Sequence, residues 1–304
     1  MICPRCGVEI SNNCNFCTYC GEPFHLAGTP ALPTSAYKLD LGKLLENTFE
    51  LYKRNFGTMC LVGLFICGIP FVFQPLHMAT GLLQGIAGKA ENTPLVAMTV
   101  GVDMCLTLLQ MVLQWYVILG TIRQCLYTAR GGTGVKMNLI CPPLMMFLKY
   151  AGFTLVLFCI QFGITLLVIV PFAIGMVVVA LSQTFDNAFV IGMLVASACL
   201  ALPCVCVLIW INVRLYLTPF FLADQDTGIA DSIIHAWRAS SGNFWMLFIG
   251  TFVLGICAAL GIFLCCVGLV LTAAVGVFGG TLAYMQLTSQ PNSLDYPQYT
   301  VVRP

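Results

Sequence analysis

The chain has 304 residues, of which 59% are hydrophobic and 8% are charged, and its formal net charge is +1. Soluble domains carry about a quarter charged residues, so this composition excludes an ordinary water-soluble enzyme and favours a protein whose main solvent is lipid. Because the charges are few and balanced, neither a nucleic-acid partner nor a strongly acidic partner is expected.

The N-terminal segment contains two Cys-x-x-Cys pairs, each followed by glycine: Cys3 with Cys6, and Cys17 with Cys20. Each pair forms a tight knuckle whose thiolates converge, and two knuckles supply the four ligands of a tetrahedral structural zinc. Rubredoxin-like iron and a redox disulfide are the alternatives, and Cys14 is either a spare thiol or an alternate ligand. The segment resembles the short zinc-ribbon module at the N-terminus of many bacterial proteins, which implies that these four cysteines bind the metal.

The remaining cysteines do not form a disulfide framework. Of the 17 cysteines, five lie in the first twenty residues and the others are scattered through apolar runs, where a thiol behaves as a small hydrophobe. No signal peptide precedes the first pair, because a basic start and an apolar stretch are both lacking. The N-terminus is therefore expected in the reducing cytosol, which favours a metal over disulfides.

Six apolar stretches follow a proline-containing linker, and each reaches the roughly 20 residues that a helix needs to cross a bilayer. They lie near residues 57–79, 95–120, 150–181, 189–217, 244–264 and 267–288. The predicted fold class is an all-α polytopic membrane protein with about six transmembrane helices and interfacial amphipathic helices, plus the small zinc ribbon. The predicted domains are the ribbon at 1–24, the linker at 25–38, the membrane domain at 39–288 and a flexible tail at 289–304. The joint between the last two stretches is so short that a re-entrant pair is an alternative to two full crossings.

The positions of the cations predict the orientation. With six crossings and both termini inside, twelve of the thirteen lysines and arginines fall on the cytosolic side, and Lys89 alone falls outside. This asymmetry obeys the positive-inside rule. The expected location is the inner membrane, with both termini cytoplasmic.

Two amphipathic segments suggest an internal repeat. Leu41–Phe56 and Ile229–Phe244 each place apolar residues on one helical face just before a span, and superposing them aligns Asn55 with Asn243. We therefore predict three units, each an interfacial helix plus a helical hairpin, beginning near residues 39, 133 and 226. Chance alignment of interfacial aromatic residues is the alternative.

The stretch Arg214–Asp224, followed by Ala230–Trp245, resembles a signature of poorly characterised bacterial inner-membrane proteins. These include the YciC-like proteins and the membrane domain associated with some glycerophosphodiester phosphodiesterases. The resemblance is specific only from 212 to 248 and implies a six-helix fold, not a reaction. Nothing outside the predicted spans supplies the metal-binding carboxylates and paired histidines of the soluble phosphodiesterase domain.

Catalysis is not expected. The three histidines, His25, His77 and His235, form no metal motif, and the chain shows no nucleophile with a base, no phosphate loop and no dinucleotide fingerprint. The only carboxylate cluster, Asp224, Asp226 and Asp231 near Arg238, is a candidate site for an ion or a lipid headgroup, but helix caps and loop solvation explain Asp226 and Asp231 more simply.

The second span carries a polar face made by Asp103, Thr107, Gln110 and Gln114, which are spaced by four, three and four residues. Polar groups in hydrocarbon face the bundle interior or a wet cavity, so the face is a candidate pathway for a small solute or ion. The preferred alternative is hydrogen bonding between helices. The expected partners in that case are Gln161, Gln183 or Asn212.

Two functions therefore remain open. The preferred one is a membrane-anchored interaction or scaffold protein, whose cytosolic ribbon recruits a protein partner while the helices anchor it in the lipid bilayer. The alternative is a transporter or channel that uses the polar face of the second span. Gly276 and Gly280 form a small-residue step that favours close helix packing first and oligomerisation second.

Overall fold

A computed structural model describes residues 38–90, 93–182, 187–225, 227–263 and 265–288. Within these ranges the chain is almost entirely helical and has no strand. The helices are α1 (Leu41–Arg54), α2 (Phe56–Lys89), α3 (Thr93–Ala129), α4 (Met137–Ile140), α5 (Leu144–Ser182), α6 (Asn187–Leu215), α7 (Thr218–Gln225), α8 (Ile229–Ser240), α9 (Phe244–Phe263) and α10 (Cys265–Leu287). The predicted ribbon and C-terminal tail lie outside the described residues.

The prediction of six spans is confirmed at the level of helix length and composition. Helices α2, α3, α5, α6, α9 and α10 are each long and apolar enough to cross a membrane, which indicates a multi-pass membrane protein. The longest exceed what the hydrocarbon requires, since the 34 residues of α2 extend over about 51 Å. The predicted third span began at residue 150, whereas α5 begins at Leu144, because Pro143 offers its carbonyl to Phe147 and so opens the helix.

Helices α9 and α10 form an antiparallel hairpin. The Thr272 hydroxyl donates to the carbonyl of Ala258 at 2.9 Å, and a Cβ at Gly279 would overlap the side chain of Leu254. The first contact joins residues near the connection between the two helices, and the second joins residues farther from it on both helices. This is the contact pattern of two antiparallel helices.

Most of the buried core lies at one end of the bundle. We call this end the platform: it consists of α1, α4, α7 and α8 with the ends of the long helices that pack on them. Its fully buried side chains include Leu44 and Leu51 of α1, Leu119 of α3 and Phe221 of α7. Away from the platform, along the hairpin of α2 and α3, large apolar side chains such as Val72, Leu82, Met98 and Met104 are exposed, as contact with lipid requires.

Helix α8 packs on the rest of the platform through small side chains. Ser232, Ala236 and Ser240 share one face at intervals of four residues and are fully buried. The apolar residues that mark the predicted interfacial face are partly exposed, with Ile234 at 45% and Trp237 at 38%. Small residues allow close approach between helices, which leaves the large apolar residues of α8 to face outward at the interface.

Two hydrogen bonds connect α1 and the residues just before it to the last three helices. The backbone N–H of Leu39 donates to Asn243 Oδ1 at 3.0 Å in a buried site, and the Tyr52 hydroxyl donates to the carbonyl of Leu271 at 2.9 Å. Burial, with a smaller contribution from the Cys60 thiol, raises the pKa of the Tyr52 phenol. The phenol therefore keeps its proton and remains a donor.

Helices α2 and α10 approach most closely at Gly63. A Cβ built at Gly63 would overlap the backbone carbonyl of Val270, whereas a Cβ at Gly68 in the same helix meets nothing within 4 Å. The absent side chain at Gly63 is therefore what allows the two backbones to touch.

Replacing Gly63 with alanine is expected to lower the free energy of unfolding by about 1–3 kcal/mol, the usual cost of overpacking a close contact. The overlap is with backbone, so no side chain can rotate away to relieve it. Thermal unfolding in detergent measures the effect. Gly68→Ala is the matched control and should be neutral or slightly stabilising, and equal behaviour of the two variants would contradict the contact.

Candidate functional site

The polar face of the second span lies on α3 and is bonded to α2. Asp103 Oδ1 lies 2.7 Å from His77 Nδ1 and accepts a hydrogen bond from the Thr80 hydroxyl at 2.8 Å. The other ring nitrogen of His77, Nε2, lies 3.0 Å from Gln110 Oε1. Thr107 turns back on its own helix and donates to the carbonyl of Asp103 at 2.8 Å. The helix pair thus holds a compact cluster of a histidine, a carboxylate, a threonine and an amide.

These partners are not the ones expected from the sequence. Gln161 and Asn212 bond to each other, with Gln161 Nε2 donating to Asn212 Oδ1 at 3.0 Å, and Gln183 lies outside the described residues. His77 had no predicted role, because it belongs to no metal motif. A useful pattern was present nonetheless, since His77 and Thr80 are three residues apart in an otherwise apolar helix and so share a face.

The His77–Asp103 pair lies far along the hairpin from the platform. His77 is 21 residues beyond Phe56, a distance of about 32 Å along α2, which is close to the thickness of the hydrocarbon core. The two side chains are 23% and 38% exposed. The pair therefore lies at the far side of the hairpin from the platform, with part of each side chain exposed.

Gln114 lies closer to the platform than Asp103 does, and only one end of its side-chain amide has a hydrogen-bond partner. Its Nε2 donates to the carbonyl of Ile66 at 3.1 Å, while its buried Oε1 accepts no hydrogen bond. A cavity of about 440 Å³ adjoins it between α2, α3, α9 and α10, lined by Gln74 and Gln114 among mostly apolar side chains. An unpaired acceptor beside a cavity is a place where water or a polar solute is accommodated.

A second polar cluster lies in the platform. Arg130 Nη2 contacts Asp224 Oδ1 at 2.5 Å, and the two side chains are only 10% and 6% exposed. The other oxygen of Asp224 accepts from the fully buried hydroxyl of Tyr284 at 2.7 Å. This contact set joins the end of α3, α7 and the end of α10.

The carboxylates grouped in the sequence have separate roles. Asp224 forms this ion pair, Asp226 lies outside the described residues, and Asp231 is exposed in the first turn of α8. A carboxylate in a first turn interacts favourably with the helix dipole, in agreement with the simpler interpretation of Asp231. The ion pair was missed because Arg130 and Asp224 are 94 residues apart.

The four expected zinc ligands, Cys3, Cys6, Cys17 and Cys20, lie outside the described residues, so the zinc site remains a prediction. Across the described residues, no group of three or more histidine, cysteine, aspartate or glutamate side chains is placed to hold a metal. Comparison with protein-family models, with curated proteins and with solved structures gives no match. The resemblance to YciC-like proteins also remains a prediction.

Replacing Asp224 with asparagine is expected to destabilise the protein by about 3–5 kcal/mol, because it leaves the buried guanidinium of Arg130 without its carboxylate. Chemical unfolding in mild detergent measures the loss. The control is Glu50→Gln, which removes an ion pair with Arg54 whose side chains are 44% and 45% exposed and should cost less than about 1 kcal/mol. Equal losses in both variants would contradict a structural role for the buried pair.

Proposed function

We propose that this chain is a membrane-anchored interaction or scaffold protein that presents a zinc ribbon beside the platform. The observation that carries the proposal is the attachment of the residue that follows the linker: the N–H of Leu39, which is 4% exposed, donates to Asn243. A ribbon on residues 1–24 would therefore be tethered next to the platform, where α1 and α8 expose polar and charged side chains to a partner.

The orientation that fits this proposal has the platform in the cytosol. The described lysines and arginines lie at the platform end, with the single exception of Lys89 at the end of α2. Positive residues are retained on the cytosolic side of a membrane. The ribbon would then occupy a reducing compartment, where Cys3, Cys6, Cys17 and Cys20 remain thiolates able to bind zinc.

The threefold repeat is part of the proposal. An amphipathic helix followed by two long helices occurs as α1–α2–α3 and again as α8–α9–α10, and Asn55 and Asn243 both lie at the junction of the amphipathic helix and its span. Before α5 and α6 the corresponding position holds only the four-residue α4, followed by Pro142 and Pro143. We infer that the middle unit has lost most of its interfacial helix.

A full-length chain should contain one zinc per molecule by elemental analysis and should co-purify with a cytosolic partner. Cys17→Ser with Cys20→Ser should lose both, because two thiolates cannot hold a structural zinc. Deletion of residues 1–24 should lose the partner while the helical domain still folds. Cys199→Ser, which changes an exposed thiol in α6, is the control. A partner that persists after the deletion would reject the scaffold function.

A transporter or channel is the second candidate, and Gln114 is the observation that favours it. Its unpaired Oε1 adjoins a cavity, and the His77–Asp103 pair lies farther along the same two helices. A histidine paired with a carboxylate in a membrane helix pair is a typical proton relay.

Proton flux into vesicles that contain the purified protein and a trapped pH-sensitive dye tests this candidate. If α2 and α3 carry the pathway, Asp103→Asn should reduce the flux to that of empty vesicles, because the amide has no titratable proton. Gln161→Leu is the control, since it removes the polar pair of α5 and α6 and should leave the flux unchanged. Equal flux in the Asp103→Asn and unmodified proteins would exclude this route.

A further inference from the structure

Arg214 lies in the last turn of α6, at the edge of the platform, and is surrounded by aromatic rings. Its guanidinium carbon is 5.3 Å from the centroid of the Trp237 ring and 5.8 Å from those of Trp210 and Phe244. Trp210 and Trp237 meet edge to face at 5.1 Å. The rings come from α6, α8 and α9, so the arginine lies where three helices converge.

The charge of Arg214 has no carboxylate partner among the described residues. Its Nη1 donates to the hydroxyl of Ser241 at 3.1 Å and at longer range to Ser240, and its buried Nε makes no hydrogen bond. Arg54 and Arg130, by contrast, each pair with a carboxylate. Arginine binds phosphate strongly through its planar set of donors, so the site is electrostatically incomplete without an anion.

Two of these rings, Trp210 and Phe244, also line an apolar groove between α6 and α9. The groove has a volume of about 470 Å³ and is lined by Val207, Trp210, Phe244, Trp245 and Phe248, among other side chains. No charged side chain lines it. It is accessible from the membrane side, since Trp245 is 69% and Trp210 41% exposed. Its volume falls within the range of about 300–1,000 Å³ that is typical of ligand sites.

We propose that Arg214 and the adjoining groove together bind one anionic phospholipid. The lipid phosphate would lie at Arg214, and one acyl chain would lie in the groove between α6 and α9. A cation next to an apolar groove matches the two chemistries of a phospholipid, and tryptophan side chains favour the level of the headgroups. A free phosphate would use the arginine but would leave the groove unexplained.

The test is native mass spectrometry of the full chain released from detergent, titrated with phosphatidylglycerol or with zwitterionic phosphatidylcholine. The unmodified protein should retain one phosphatidylglycerol molecule at activation energies that remove phosphatidylcholine. Arg214→Gln should lose that tightly bound lipid, and its affinity should fall by at least about tenfold, since the charge and its donors are lost together. Lys53→Gln removes one exposed positive charge from α1 and is the matched control, expected to retain the lipid.

A second variant separates lipid binding from folding. Val207→Trp places a large side chain in the groove at an exposed position, leaves Arg214 unchanged, and should also displace the lipid. Melting temperatures without added lipid check that both variants are folded. Retention of phosphatidylglycerol by folded Arg214→Gln, or by folded Val207→Trp, would overturn the proposal. Equal retention of both lipids by the unmodified protein, or displacement of the lipid by inorganic phosphate alone, would do so as well.

Discussion

The buried ion pair between Arg130 and Asp224, with the hydroxyl of Tyr284 on the same carboxylate, is the contact on which the platform depends. Helices in lipid gain little from the hydrophobic effect when they associate, because lipid tails are as apolar as leucine. Polar contacts and close packing must then specify which helices meet. This contact joins α3, α7 and α10, which no short loop connects directly to one another.

Aromatic packing around Tyr284 reinforces this arrangement. Its ring meets Phe221 edge to face at 4.9 Å and lies nearly parallel to Phe220 at 6.1 Å, so α7 contacts the end of α10 through these aromatic rings. The ion pair that Tyr284 contacts is almost fully buried as well, and loss of one partner from a buried pair leaves an uncompensated charge. Removal of the carboxylate would therefore disturb the polar and the apolar parts of the platform together.

Composition and periodicity predicted the spans well, because the six long helices need only apolar length and the amphipathic α1 and α8 need only a 3.6-residue pattern. They could not predict which side chains of different helices contact each other. Arg130 and Asp224 are 94 residues apart, and His77 contacts Asp103 only because the hairpin of α2 and α3 folds in one register. The outward position of Ile234 and Trp237 on α8 agrees with the interfacial amphipathic helix that the pattern predicted. The pattern did not indicate that small residues would do the packing on the other face of the helix.

The charged residues of this chain carry most of its functional information because they are so few. Arg130 is buried and paired with a carboxylate, so its charge is accounted for by the fold. Arg214 is held by aromatic rings and two serines, and the described residues supply no carboxylate for it. An unmatched charge at a membrane interface costs free energy unless an anion from outside the chain compensates it. The bilayer is the nearest source of such anions. Because charged residues are so few in this chain, one that lacks a carboxylate partner indicates where an anionic lipid would bind.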